Sequence, residues 1–381
     1  MTVRAAVMTG PHQPIQVQTF PDPAIESGAV LLETVASEVC GTDVHLFHGR
    51  LAGVPYPIIP GHVSVGRVLE ARDVDRDASG RTLAPGDLVT FYDVHEVCHR
   101  CWFCLVAKQP NRCPHRKVYG ITYSANDGLL GGWAERIYLK PGVHVFRLPE
   151  ALSVDDVIGG GCGLFTGFAA VERADVQMGD TVVVQGAGPV GLSAAAFAGL
   201  RGAGHVIIIG DPAARLSLAS RLGADTMLSL SAHPPEARRS TVRDATHGRG
   251  ADVIIEASGN PHAVEEAFQL LRDGGRYVIA GHYTDSGSVT INPHLDINKK
   301  HADVRGQWGT DFGHVDRALR LLARHRERLP FHEIIGARYG LADAQKALED
   351  VENLRVTKAV IQSGGHGRAE AGRGGHTPTV A

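Results

Sequence analysis

The six cysteines of this 381-residue chain fall into two groups, and their placement constrains the fold more than any other feature. Cys40 and Cys162 stand far apart, each beside a glycine. The other four share one short segment and can close around a single ion, which predicts a structural zinc site with no free coordination position. These four are Cys98, Cys101, Cys104 and Cys113.

The spacing of these four cysteines limits which metal they could hold. Their last gap is far longer than the gap of about three residues in the iron–sulfur runs that begin with a similar spacing. Four unliganded thiols on a surface loop would be exposed to oxidation. Zinc is therefore the favoured interpretation of this four-cysteine lobe (about residues 95–115), with an iron–sulfur cluster and free thiols as the alternatives.

A second metal site is predicted from three separated residues, Cys40, His62 and Cys162. Three protein ligands leave a fourth position open for a substrate, which is typical of catalytic zinc. Taken singly these residues are weak evidence, because a lone cysteine is most often a buried core residue.

The neighbours of Cys40 strengthen the catalytic interpretation. The Thr42 hydroxyl lies two residues away and could hydrogen-bond a substrate oxygen at the metal. Asp43 could orient a metal ligand through a hydrogen bond, as metal-binding histidines usually require. His45 could pass a proton on to water.

A nucleotide-binding turn is predicted where strand and helix patterns begin to alternate, after residue 181. Its glycine motif follows a Val-rich strand and opens an Ala-rich helix, which is the context that a dinucleotide fingerprint needs. Gly186 would make the turn, Gly188 would admit the pyrophosphate, and Gly191 would let helix and strand pack. Pro189 and Val190 begin the helix, whose N-terminus would face the phosphates. A glycine-rich turn in another kind of α/β unit is the alternative.

The choice of cofactor depends on the residues after the next predicted strand. Asp211 lies about 20 residues beyond the glycines, where an acid accepts hydrogen bonds from the adenosine ribose and repels a 2′-phosphate. Arg215 could instead reach such a phosphate. The pattern favours NAD over NADP.

Composition excludes several other functions. The net charge is −3, and there is no basic stripe that would indicate nucleic acid and no charge block that would indicate a membrane surface. No apolar run approaches the length of a membrane span. Clustered cysteines used for metal suit a reducing compartment, so we expect a cytoplasmic protein. The Gly- and His-rich tail, residues 364–381, is predicted to be disordered.

Taken together, these motifs resemble the zinc-dependent medium-chain alcohol dehydrogenases, a family that includes threonine, sorbitol and other secondary-alcohol dehydrogenases. The resemblance rests on the run from Cys40 to His45, on Gly61-His62, on the four-cysteine lobe, on Gly161-Cys162-Gly163 and on the glycine fingerprint. It implies two zinc ions per chain. A catalytic zinc would be bound by Cys40, His62 and Cys162, and a structural zinc would be bound by the four-cysteine lobe.

The resemblance also implies an α/β fold with two domains. A GroES-like, β-rich catalytic domain would comprise residues 1–158 and 296–363, and a Rossmann domain with a doubly wound parallel sheet would comprise residues 159–295. The reaction would move hydride between a small-molecule alcohol and NAD, giving a ketone or aldehyde. The polar loop at residues 92–96, expected near the pocket, favours a polyol, a sugar-like molecule or another polar secondary alcohol, and a plain exposed loop is the alternative. Thr42 would take the alcohol proton and His45 would release it. The assembly would be a homodimer or homotetramer.

Val63 departs from the family pattern, and Lys358 resembles it. The family usually has Glu directly after the zinc histidine, where this chain has Val63, so ligand exchange at the metal is expected to differ. Lys358 resembles a family lysine that contacts the pyrophosphate, although a plain solvated lysine fits the sequence equally well. The rival functions are a zinc-independent reductase of the same superfold and a non-enzymatic zinc- and nucleotide-binding module.

Overall fold

The computed structural model describes residues 2–363, so the predicted disordered tail, residues 364–381, lies outside the described residues. In chain order the strands are β1 (Thr2–Val7), β2 (Gln16–Pro21), β3 (Val30–Val39), β4 (Ser64–Ala71), β5 (Leu88–Phe91), β6 (Val94–His95), β7 (Lys117–Val118), β8 (Arg136–Leu139), β9 (Val145–Arg147), β10 (Thr181–Gln185), β11 (His205–Gly210), β12 (Thr226–Ser229), β13 (Ala251–Glu256), β14 (Leu271–Ile279), β15 (Asp303–Gly306), β16 (Ile335–Tyr339) and β17 (Lys358–Ile361).

The α-helices are α1 (Gly41–Phe47), α2 (Trp102–Leu105), α3 (Val154–Gly160), α4 (Cys162–Ala174), α5 (Pro189–Leu200), α6 (Ala213–Arg221), α7 (Pro235–Ala245), α8 (Pro261–Leu270), α9 (Phe312–Arg324) and α10 (Ala344–Glu352). Short 3₁₀ turns cover Pro110–Arg112, Ala125–Asp127, Arg326–Arg328, Phe331–Ile334 and Leu341–Asp343, and a π turn covers Pro293–Asn298.

Six strands form a parallel sheet in the order β12-β11-β10-β13-β14-β15. Every residue of β10 is buried, as in a sheet that carries helices on both faces. The alternation of apolar runs and Ala-rich helices beyond residue 181 predicted this arrangement, and the predicted α/β fold class is confirmed.

Seven strands form the second large sheet, in the order β16-β17-β3-β4-β5-β9 with β8 also paired to β3. All of its pairs are antiparallel except β16 with β17. The sequence predicted only strands and turns before residue 150, but the chain also forms α1 and α2 there. Cys40 is the N-cap of α1 and Cys101 that of α2, so both unexpected helices begin beside predicted metal ligands.

The parallel sheet extends further along the chain than expected. Strand β15 continues it with Val304 beside Tyr277 of β14, although β15 lies beyond the expected domain boundary at residue 295. We therefore propose that the boundary lies after β15.

One apolar core joins the two sheets. Val63 and Val65 belong to the same buried cluster as Val157 of α3 and Val184 of β10, so the site that they flank lies between the β-rich part and the parallel sheet. Within residues 2–363, no single helix is long and apolar enough to cross a membrane. The bent pair α3 and α4 meets the criteria of length and composition only when its two helices are taken together.

Candidate metal centres and nucleotide cleft

The four-cysteine lobe brings its thiols together. The four sulfur atoms lie within 4.8 Å of one another, with Cys101 Sγ 3.5 Å from Cys104 Sγ. The Cys98 N–H donates to Cys113 Sγ at 3.4 Å, and the Arg100 N–H lowers the pKa of Cys98 to about 6. Sulfurs that are gathered in this way and supplied with N–H donors suit a tetrahedral ion such as zinc.

Cys40, His62 and Cys162 also converge, although many residues separate them in sequence. One potential ligand atom from each lies within 4.8 Å of the others, and the Glu38 carboxylate belongs to the same group. Cys40 Sγ is 4.0 Å from His62 Nε2. This is the arrangement that the sequence predicted, with Glu38 as an unpredicted fourth member.

Each of these three side chains lies at the start of a helix or close to the end of a strand. Cys40 directly follows β3 and caps α1, with the Thr42 N–H donating to its sulfur at 3.3 Å. Gly61, with a φ of +90°, precedes His62, and a Cβ there would lie 2.6 Å from the Trp133 ring. Cys162 opens α4, so its sulfur lies at a helix N-terminus, where negative charge is stabilised.

The site stabilises a thiolate. Burial alone would raise the pKa of Cys40, but the Cys162 thiol and the charge of His62 outweigh burial and lower it well below its usual range. The hydrogen bond to Cys40 raises the pKa of Cys162 in turn. Burial would lower the pKa of His62, but the Cys40 thiolate raises it well above its usual range. Such a cluster attracts a cation, which would replace the protons that the two thiols and the His62 imidazole share.

Glu38 was missed by the sequence analysis. It lies near the end of β3, is fully buried, and its Oε1 is 3.6 Å from His62 Nε2. Its other oxygen accepts a hydrogen bond from Lys358 Nζ. The sequence did contain a signal for it. Glu38 is the one charged residue in the strand segment 34–39, and it stands two residues before a ligand cysteine.

Lys358 lies at the start of β17 and is only 1% exposed, which excludes the solvated lysine that the sequence left open. Burial would lower the pKa of Lys358, but the charges of Glu38 and Cys162 raise it instead. In this structure its ammonium faces Glu38, on the metal side of the cleft.

The three predicted catalytic residues lie on α1 but in different environments. The buried Asp43 accepts from the Cys40 N–H at 2.8 Å, and burial followed by the Cys40 charge raises its pKa well above its usual range. Its Oδ1 and His62 Nδ1 are both buried without a hydrogen-bond partner among residues 2–363. Thr42 and His45 line the adjoining cavity, and His45 Nδ1 lies 3.2 Å from Thr284 Oγ1.

The cavity beside the metal cluster has a volume of about 460 Å³. The three predicted ligands and Thr42 line it, together with residues of α4 and α5. Of the polar loop at residues 92–96, only Asp93 and Val94 line it. The rest of the lining includes Leu51, Val54, Asn111, Arg116, Val118, Ile121, Tyr283 and Trp308.

The glycine turn has the close contacts that the fingerprint predicts. A Cβ on Gly191 would lie 1.8 Å from the Gly186 oxygen, and Gly186 itself has a φ of +111°. Gly188 is the N-cap of α5 and has open space where a side chain would point, with Pro189 and Val190 as the first helical residues. A pyrophosphate could approach the backbone there.

The carboxylate of Asp211 lies at the end of β11 and is engaged by the chain itself. It accepts from the Ser229 hydroxyl at 2.8 Å and from the Ser231 N–H at 2.9 Å. Arg215 Nη2 donates to the Val356 oxygen at 3.3 Å, and burial lowers the pKa of Arg215.

Comparison with known proteins identifies the relatives of this chain. Residues 26–150 match the alcohol dehydrogenase GroES-like domain, and residues 189–324 match the zinc-binding dehydrogenase domain. A 5-exo-hydroxycamphor dehydrogenase from Pseudomonas putida is 34% identical over 94% of this chain and 98% of its own length. An erythritol/L-threitol dehydrogenase from Mycolicibacterium smegmatis is 31% identical over 93% of this chain and 97% of its own.

Among solved structures, an alcohol dehydrogenase from Thermotoga maritima superposes with a TM-score of 0.91 and 35% identity, over 96% of this chain and all of that one. The fold, the two metal-ligand clusters and these relatives agree. The chain therefore belongs to the zinc-dependent medium-chain alcohol dehydrogenases and is an oxidoreductase that uses zinc and a nicotinamide cofactor on a small-molecule substrate.

Proposed function

We propose that this protein oxidises a secondary alcohol to a ketone, reversibly, with NAD. The observation that carries the proposal is the convergence of Cys40, His62 and Cys162 on one point beside the cavity and the glycine turn. The lobe thiols would hold a second zinc with a structural role. When bound, zinc supplies Lewis-acid polarisation of the alcohol and the nicotinamide accepts hydride.

The chain's own residues would move the proton. Thr42 lines the cavity beside Cys40, where its hydroxyl can accept the proton of an alcohol and pass on its own. His45 lines the same cavity one helical turn further along α1, and burial lowers its pKa, so that it is neutral and able to accept a proton at pH 7. Among residues 2–363 the two side chains make no direct hydrogen bond, so the ribose of the cofactor would connect them.

The substrate we propose has a compact carbon frame and one polar group besides its reacting hydroxyl. Apolar side chains such as Leu51, Ile121 and Trp308 line the cavity, which suits an apolar frame. Asn111 and Arg116 lie among them and could hydrogen-bond a carbonyl or hydroxyl. A linear polyol is the less favoured alternative, because its several hydroxyls would need more polar partners than this lining provides.

NAD is the proposed cofactor because the carboxyl group of Asp211 follows β11 directly and, within residues 2–363, forms no salt bridge with a lysine or arginine. Asp211 would repel a 2′-phosphate, and the Arg215 guanidinium is partly buried and already donates to Val356. The position before Asp211 cannot supply an acid, since a Cβ on Gly210 would lie 2.7 Å from the Ala187 Cβ.

We also propose that the protein assembles as a homodimer or homotetramer. The lobe helix α2 and its C-cap expose Trp102, Leu105 and Val106, each more than half exposed, and such a patch favours contact with another chain. Light scattering of the purified protein would measure the mass of the assembly, and a monomer would contradict this proposal.

The experiment that tests the function follows absorbance of reduced nicotinamide with a panel of cyclic secondary alcohols and polyols. Zinc content is measured on the same sample, and Cys162→Ser is the control that removes one ligand of the catalytic set. We expect alcohol-dependent reduction of NAD that Cys162→Ser abolishes. Turnover that survives loss of zinc would favour the zinc-independent reductase instead.

A further inference from the structure

Glu38 stands inside the proposed catalytic metal cluster, where the reaction outlined above gives it no role. It is fully buried, and one of its carboxylate oxygens lies within 4.8 Å of the ligand atoms of Cys40, His62 and Cys162. An anionic oxygen at that distance from three metal ligands is itself a potential ligand, because zinc also accepts carboxylate oxygen.

Two donors hold the carboxylate in its present position. Glu38 Oε1 accepts from the Cys162 N–H at 2.9 Å, and Oε2 accepts from Lys358 Nζ. Gly161 leaves the space for it, since a Cβ there would lie 1.9 Å from Oε2. Within residues 2–363, Lys358 is the only lysine or arginine paired with this carboxylate, and His62 Nε2 lies 3.6 Å from its Oε1.

Two further hydrogen bonds hold the backbone of Glu38 without involving its side chain. Its N–H donates to the Val63 oxygen at 3.1 Å, and its own oxygen accepts from Trp133 Nε1 at 2.9 Å. Val63 directly precedes β4, next to the Ser37–Ser64 pair of the sheet. The carboxylate can change partners by side-chain rotation while the strand stays in place.

We propose that Glu38 is an exchangeable fourth ligand of the catalytic metal, and that Lys358 holds it back from the ion. Glu38 would occupy the open coordination position when no substrate is present and return to Lys358 as a substrate oxygen arrives. The exchange swaps one oxygen ligand for another and transfers neither a proton nor an electron. This inference rests on the proposed catalytic zinc site.

A purely structural ion pair is the competing explanation, and it predicts a different pattern in variants. If the pair only stabilises the fold, loss of either partner loosens the site and speeds metal release. If Glu38 is an exchangeable ligand, Glu38→Gln removes a ligand and speeds release, whereas Lys358→Met frees the carboxylate for the metal and slows release. The two variants then change the rate in opposite directions.

The experiment transfers zinc from the intact holoenzyme to a coloured chelator in excess, without substrate. The zinc of the four-cysteine lobe serves as an internal control, because its release should be the same in all variants. We expect Glu38→Gln to speed release from the catalytic site about tenfold or more and Lys358→Met to slow it. Melting temperature is measured for each variant, and Lys358→Gln replaces Lys358→Met if the latter does not fold.

Unchanged release in Glu38→Gln, or faster release in both variants, would overturn the inference. Wild-type protein that holds zinc only in the lobe would instead contradict the proposed function, so the two failures are distinguishable.

Discussion

Tyr283 and Trp308 stack with their ring planes 8° apart and their centroids 5.6 Å apart. The Trp308 Nε1–H also donates to the Tyr283 oxygen at 3.1 Å. The guanidinium carbons of Arg112 and Arg116 each lie 5.2 Å from the centroid of the Trp308 ring. The indole is therefore fixed by an aromatic ring and two cations, and it forms a rigid part of the cavity wall.

Replacing this indole tests the proposed substrate pocket. Trp308→Ala removes a large apolar surface, which is worth about 1.5–3 kcal/mol for a buried side chain and corresponds to about ten- to 100-fold in affinity. We expect KM for the alcohol to rise by that factor while KM for NAD stays unchanged, as steady-state kinetics would show. Trp308→Phe is the matched control and should retain most of the affinity. An unchanged KM in Trp308→Ala would contradict the assignment of this wall.

The Thr42 hydroxyl is the first proton acceptor in the proposed reaction. Thr42→Val keeps the shape of the side chain but removes the hydroxyl, so kcat should fall on the order of 100-fold or more. Thr42→Ser restores a hydroxyl and should recover much of the rate. The dissociation constant for NADH, measured by fluorescence, should not change. Near-normal kcat in Thr42→Val would exclude this residue from the proton path.

The lobe contributes to the substrate pocket as well as to stability. Asn111 and Arg116 flank Cys113 and line the cavity, and Asn111 Nδ2 donates to the Trp308 oxygen at 3.5 Å. Cys113→Ser should therefore lower the melting temperature and also raise KM for the alcohol, because the segment that carries these side chains loses its ion. Cys162→Ser is the comparison variant, which should lose turnover with the lobe zinc retained. A Cys113→Ser protein with wild-type Tm would contradict a metal in the lobe.

Much of the fold could be predicted because its signals are local. The buried run in β10 and the glycines from Gly186 to Gly191 are contiguous, so sequence alone gives both the strand and the turn. The sequence did not predict α1, because its seven residues carry little periodicity and its start depends on Cys40 acting as the N-cap. The extent of the parallel sheet was also missed, since β15 has only four residues and is defined by its pairing with β14.

The catalytic cluster was predictable only in part. Cys40, His62 and Cys162 are metal-ligand residue types that stand in recognisable motifs, although each alone is weak evidence. Glu38 and Lys358 do not, and their ion pair joins residues far apart in sequence. Their roles depend on β17 lying beside β3, which is a tertiary pairing that no local pattern encodes.

Asp211 should set the preference for NAD. Asp211→Ala removes the charge that would repel a 2′-phosphate, so the ratio of kcat/KM for NAD to that for NADP should fall by about tenfold or more. Ser231→Ala is the matched control, because it removes a hydroxyl that donates to Asp211 at 3.3 Å but leaves the charge. Comparing both cofactors with one alcohol measures the ratio. A wild-type enzyme that prefers NADP would overturn the choice of cofactor.

His45 should control the acid side of the pH profile. Burial, followed by the charge of Arg50, lowers its pKa below 6.5, although the charge of Cys40 acts in the opposite direction. The imidazole is therefore neutral above that lowered pKa, and kcat/KM for alcohol oxidation should decline only as the pH falls through it. His45→Gln should lower the rate and abolish this decline, and added imidazole buffer should restore part of the rate.

The lowered pKa of His45 also determines how the stability of the folded protein changes with pH. Between the folded pKa of His45 and its unfolded value of about 6.5, the unfolded chain binds more protons than the folded one. The wild type should therefore lose stability as the pH falls through this window, and His45→Gln should lose less. Urea unfolding at a series of pH values measures the difference between the two proteins. A difference that does not change across the window would show that His45 titrates alike in both states, and would contradict its use as a neutral proton acceptor.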